Sequence, residues 1–157
     1  MKKSASLKFA GLALLGSFAL AACNQANLTG SAKTYAFALQ TGFTGSAGTA
    51  TRADLNSKDT TTVLSATGLK KSTLYVAHYH LAGKDTSRGV CASGGNVVDG
   101  KIGNASVLSD ANGNLVIRGL TATANLTDAK YINIHEDLTP DLSMVPLCAD
   151  LTLAPTK

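Results

Sequence analysis

Residues 73–81 read Thr-Leu-Tyr-Val-Ala-His-Tyr-His-Leu. Thr73, Tyr75, Val76 and Tyr79 are strand formers and Gly, Pro and acidic residues are absent, so it is the clearest strand in the chain. Side chains alternate across a strand. His78 and His80 therefore project from one face and Tyr79 from the other. Gly68 to Ser72 precede the run as a turn. Leu81 to Val107 follow it as a long Gly-rich stretch that reads as a loop, and loops of that length often carry function.

The same alternation recurs outward from this strand. Tyr35, Phe37 and Leu39 alternate with Ala36 and Ala38 as a half-buried strand. Thr49–Leu55 and Thr60–Ala66 read as strands joined by the turn Asn56-Ser57-Lys58-Asp59. Strands near Ser106–Ser109 and Leu115–Gly119 flank the turn signal Asp110-Ala111-Asn112-Gly113. Tyr131–His135 is a strand, Glu136–Pro146 a loop with two prolines, and Leu147–Leu153 a last strand. The chain has 157 residues, 45% apolar and 15% charged, which excludes a disordered polypeptide and suffices for one domain. Glu136 is the only glutamate, so surface helices laced with Glu–Lys pairs are not expected. The pattern predicts an all-β antiparallel sandwich or barrel. Neither a phosphate-binding Gly loop nor an internal repeat is present.

Residues 1–22 form a different kind of segment. Lys2, Lys3 and Lys8 lead into an apolar run from Phe9 to Ala22, too short to span a bilayer comfortably and ending in small residues. This is the pattern of a secretory signal. Its end, Leu20-Ala21-Ala22-Cys23, resembles a bacterial lipobox, which implies acylation of Cys23. Residues 23–33 are then a lipidated tether and 34–157 the β domain. The expected location is the cell envelope, with the domain facing the extracytoplasmic side and the acyl chains as its membrane partner. Without the leader, the fourteen Lys and Arg fall to eleven against ten Asp and Glu. That near balance removes the charge argument for nucleic-acid binding. With Cys23 acylated, Cys91 and Cys148 remain: an oxidising compartment favours one disulfide between them, the alternative being two buried thiols.

The chain has three histidines: His78, His80 and His135. Two imidazoles on one strand face can begin a metal site, and His135, at the end of another strand, can complete it. Three neutral imidazoles without a thiolate suit copper, zinc or nickel, and the affinity order favours Cu(II).

The order of elements from Gly68 to Asp150 resembles the Cu/Zn superoxide dismutase family. Gly68-Leu69 precede His78-Tyr79-His80, and Cys91 follows with Gly89 nearby. Gly100-Lys101-Ile102-Gly103-Asn104 precede the Asp110–Gly113 turn. Ile134-His135-Glu136-Asp137-Leu138 precede Leu147-Cys148. The resemblance implies a Greek-key β-sandwich or flattened barrel, a Cys91–Cys148 disulfide, and copper on His78, His80 and His135. It also offers Asp137 and Asp141 as acceptors that orient the copper histidines.

The departures from that family narrow the expectation. No histidine lies between Cys91 and Asp110, so the bridging ligand and the zinc ligands are missing. The zinc Asp position is Lys101, and the position of the active-site Arg is Val145. A copper-only site is expected, and zinc is not. Lys84, Arg88, Lys101 and Arg118 are candidates for steering an anion in place of the Arg, and Met144 for a soft axial ligand. The expected function is membrane-anchored extracytoplasmic copper binding with dismutation of superoxide. Two alternatives stay open: a non-catalytic lipoprotein exchanging copper with a donor or acceptor, and a metal-free β-sandwich interaction module. Tyr131-Ile132-Asn133-Ile134-His135 resembles a strand of the chordin-type domain and carries the last of these.

Overall fold

The computed structural model describes residues 27–138 and 142–156. The leader, Cys23 and Asp141 lie outside these residues. The elements are all strands apart from short 3-10 turns. In order they are β1 (Lys33–Ala36), β2 (Ala38–Leu39), β3 (Ala47–Asp54), β4 (Asp59–Thr67), β5 (Leu74–His80), β6 (Val97–Lys101), β7 (Val107–Leu108), β8 (Leu115–Ala122), β9 (Tyr131–Glu136) and β10 (Leu147–Asp150). Two antiparallel sheets result. One has the order β1-β3-β4-β8; the other runs β2-β10-β9-β5-β6, with β7 also paired to β5.

The expected strand at residues 35–39 is split between the two sheets. β1 pairs with β3, β2 pairs with β10, and Phe37 sits between them with its N–H on the Gly48 carbonyl. One continuous sequence pattern thus serves both layers, and its alternation ends at Leu39, which is exposed.

The stretch 81–107 differs from its expectation as a loop, because it contains β6 and the first residue of β7. Its strand signal is short: Val97-Val98 is followed by Asp99 and Gly100, both at positive φ, and the β5–β6 register shifts between His78 and Tyr79. Such a bulge interrupts the period-two pattern on which recognition of a strand depends. The last strand is shorter than expected. It stops at Asp150, whose carboxylate accepts from the Thr152 N–H and hydroxyl.

Alternate residues fill the space between the sheets. Tyr35, Ala50, Leu64, Leu115 and Ile117 come from one layer; Tyr75, Ala77, Tyr79, Ile132, Ile134, Leu147 and Ala149 from the other. Tyr79 crosses the core to bond Thr62 Oγ1 on β4 at 2.5 Å. The Asp110–Gly113 turn forms where expected, with the Gly113 N–H on the Asp110 carbonyl. Its flanking strands do not pair with each other, however: β7 joins β5 and β8 joins β4, so the turn is a corner between sheets. Gly113 is required there, since φ is 79° and a Cβ would fall 2.2 Å from the Leu69 carbonyl oxygen.

Cys91 and Cys148 form a disulfide, Cα–Cα 6.0 Å, which ties the 81–96 segment to β10. Residues 27–29, expected in the tether, already pack on the domain. Leu28 bridges Leu55, and the Thr29 N–H bonds the Asp54 carbonyl.

Candidate metal centre

Because Tyr75, Ala77 and Tyr79 face the core, Val76, His78 and His80 face away from it. On β9 the core takes Ile132 and Ile134, which leaves Tyr131, Asn133 and His135 on the same outer face. An outer face is ordinarily wet, yet every one of these residues is buried. Two covering segments account for this. The 81–96 segment is held by the disulfide and by the Gly95 N–H on Tyr131 Oη, 2.9 Å. The segment before β10 closes over His135, whose Nδ1 bonds the Leu142 carbonyl at 2.6 Å.

Strand register brings the three histidines together. His78 pairs with Asn133, His80 with Tyr131, and Val76 with His135. The two strand partners of the site, His78 and His135, are therefore diagonal neighbours, within reach of ring side chains. Ring centroids are 5.3 Å apart for His78–His135, 5.7 Å for His80–His135 and 6.1 Å for His78–His80. One nitrogen from each ring lies within 4.8 Å of the other two.

Hydrogen bonds settle the tautomer of two of the three rings. His80 Nδ1 contacts the Gly95 carbonyl at 2.9 Å and His135 Nδ1 the Leu142 carbonyl at 2.6 Å. A carbonyl only accepts, so both Nδ1 atoms carry the proton and both Nε2 atoms a lone pair. Those two Nε2 atoms and His78 Nδ1 are buried with no hydrogen-bond partner. Buried polar atoms are normally satisfied, and each orphan costs about 1–3 kcal/mol. Three unpartnered ring nitrogens at one point are what a bound cation would satisfy.

Electrostatics agree with this. Burial, then the proximity of His135 and His80, pushes the His78 pKa down from 6.5 to about 4. Burial also lowers His80 and His135, partly offset by their carbonyl contacts. All three rings are thus neutral at pH 7, the form that ligates metal. Cys91 and Cys148 are oxidised and offer no thiolate. The cluster can hold a metal ion of the kind that prefers imidazole.

The remaining expected residues are distributed unevenly. Asp137 does not touch an imidazole: its carboxylate accepts from the Ser106 hydroxyl and lies 3.6 Å from Lys101 Nζ. Orientation of His80 and His135 falls to backbone carbonyls instead. Lys101 pairs with His78 in the β5–β6 ladder and is close enough to lower its pKa. Lys84 lines an open groove with Asp85 and Ser93–Asn96, on the segment that covers His80. Arg88 is exposed in the same segment. Arg118 is on β8 in the other sheet, paired with Val63, and is no part of the centre. Met144 contributes its carbonyl to the Glu136 N–H.

Three contributors had little or no sequence signal. The Gly95 and Leu142 carbonyls are backbone groups and carry none. Tyr131 stacks on His80, centroids 4.7 Å apart and planes 5° from parallel; its spacing of four from His135 on one strand was the available clue. The chain matches no protein-family model, and no curated protein sequence is significantly similar to it.

Proposed function

We propose that this is an extracytoplasmic copper-binding protein, anchored by lipid on Cys23, whose three-histidine centre dismutates superoxide. The observation that carries the reading is the set of three buried, unpartnered ring nitrogens, one from each histidine. Among imidazole-binding ions, Cu(II) heads the affinity order. The strand order supports the dismutase-like Greek-key arrangement: β8 follows β7 in the chain yet returns to the first sheet beside β4, and a disulfide pins the covering segment.

What a bound copper ion supplies is a one-electron couple: one superoxide is oxidised to dioxygen, another is reduced, with two protons, to hydrogen peroxide. The protein's own part is to hold His78 Nδ1, His80 Nε2 and His135 Nε2 as lone-pair donors. Gly95 and Leu142 fix the tautomers of His80 and His135, and Tyr131 fixes the plane of His80. Lys101 places a cation beside His78 to attract an anionic substrate, moderated by Asp137.

A second reading, copper binding without turnover, is favoured by one specific feature. The cation nearest the centre is already paired with Asp137, and Val145 stands where the dismutase family has its Arg.

Copper titration tests the first step. One equivalent should bind, and the His78→Ala/His80→Ala variant should lose it; no binding, or no effect of the substitutions, rejects both readings. Superoxide decay on the copper-loaded protein separates them. A rate well above that of His135→Ala supports dismutation, and an equal rate leaves copper binding alone.

A further inference from the structure

A second cluster lies away from the histidines, where β1 meets β3. A cavity of about 80 Å3 is lined by Ser31, Lys33, Tyr35, Arg52, Ala53 and Asp54. Lys33 and Arg52 are direct partners in the β1–β3 ladder. Like charges directly opposed on a sheet repel, so this pairing is unfavourable unless something compensates it. Neither cation forms an ion pair among the described residues. Arg52 is held over the Tyr79 ring, its guanidinium carbon 5.2 Å from the centroid.

Tyr35 adds an independent observation. Its ring is buried in the core, while its hydroxyl, which bonds no described residue, is not among the enclosed unpartnered atoms and so opens into the cavity. A phenol with a buried ring and an accessible hydroxyl presents a positioned donor to a ligand in the cavity. The one carboxylate in the lining, Asp54, accepts from the Thr60 hydroxyl at 2.7 Å. Two cations and one carboxylate leave the cavity with a single net positive charge.

We propose that this cavity binds a singly charged phosphate group, held by the Arg52 fork, the Lys33 ammonium and the Tyr35 and Ser31 hydroxyls. Arg is suited to the task because its planar donors match two phosphate oxygens at once. The same chemistry has two sources, free phosphate and the phosphodiester of a lipid headgroup. Lys33 is ten residues from Cys23. A chain of that length extends at most about 35 Å, so a headgroup of the anchoring membrane is within reach.

The test is an amide-resolved NMR titration of the mature chain from Cys23 onward. One arm uses inorganic phosphate at a pH where it is singly charged, and the other uses phosphatidylglycerol vesicles. Saturable shifts at Lys33, Tyr35, Arg52 and Ala53 are expected, with affinity falling roughly ten- to hundredfold in Arg52→Gln. Tyr35→Phe keeps the ring in the core and should weaken binding about fivefold, so the test survives if Arg52→Gln fails to fold. Saturation by phosphate identifies the free anion as occupant, and saturation by vesicles alone identifies the headgroup. Shifts that are linear with concentration, or the same in wild type and Tyr35→Phe, overturn the proposal.

Discussion

His78 and His135 meet across the β5–β9 ladder on the diagonal: His78 faces Asn133, His135 faces Val76, and the two rings still come within 5.3 Å. Moving β9 by one residue would turn His135 into the core and Ile134 to the outside. The centre is therefore a product of register, and register is held by the core residues Ile132 and Ile134 beneath it.

Metal binding should stabilise the fold steeply, because it satisfies three orphaned nitrogens at once. At a free copper concentration a thousand times the Kd, the expected gain is about 4 kcal/mol. Thermal unfolding followed by circular dichroism should show a large upward shift in Tm for wild type. A shift of the same size in the His78→Ala/His80→Ala/His135→Ala protein would mean that copper acts elsewhere.

Without metal, stability should fall as the solution is acidified between pH 6.5 and about 4. In this window the unfolded His78, with its ordinary pKa near 6.5, takes up a proton that the folded ring, lowered to about 4, refuses. The unfolded state binds more protons, so acid favours it; His78 alone contributes about 3 kcal/mol, fully present above 6.5 and lost as pH falls through 4. His80 and His135, also lowered, act in the same direction. Denaturant midpoints measured across this range should lose part of their slope in His78→Ala and the rest when His80 and His135 are replaced as well.

The disulfide links residues 57 apart in sequence. Replacing both cysteines by Ala should cost about 4 kcal/mol in the chain-entropy account, read from guanidinium unfolding. Copper affinity should fall with it, since Gly95, which fixes the His80 proton, lies on the segment that the bond secures. Unchanged affinity in the double-Ala protein would show that the segment's hydrogen bonds, Leu81 to Asn96 and Gly95 to Tyr131 among them, hold it without the disulfide.

Tyr131→Phe should keep the stack on His80 and lose the bond to the Gly95 N–H, at about 1 kcal/mol of stability. Tyr131→Leu removes the stack as well. Groups that orient metal histidines are worth roughly ten- to hundredfold in affinity, so copper competition assays should rank wild type above Phe above Leu. Equal affinities would assign His80 orientation to the carbonyl alone.

Glu136, the sole glutamate, has a side chain only 2% exposed and is bonded to Lys70 Nζ at 2.8 Å. Lys70→Met strands that carboxylate. A fully buried pair broken this way loses 3–5 kcal/mol, but the Lys70 side chain is 57% exposed, so about 2 kcal/mol is expected here. Adding Glu136→Gln should restore part of the loss in a double-mutant cycle; additive losses would argue against coupling.

Alternation and composition alone determined the strand class, the shared face of His78 and His80, and the turns at Asn56–Asp59 and Asp110–Gly113, because these depend on local sterics and a two-residue period. The broken strand at Phe37, the bulged β6 and the sheet-to-sheet corner at Asp110 were not legible, since each reflects which distant strand the backbone finds. The histidine centre divides in the same way. Its three residue types were visible as candidates, while the choice of Nδ1 on one ring and Nε2 on two, the carbonyls that impose it, and the burial that keeps the rings neutral came only with the tertiary structure. Long-range packing decides all of these, and no local pattern encodes which carbonyl will lie 2.6 Å from a ring seven residues earlier in the chain.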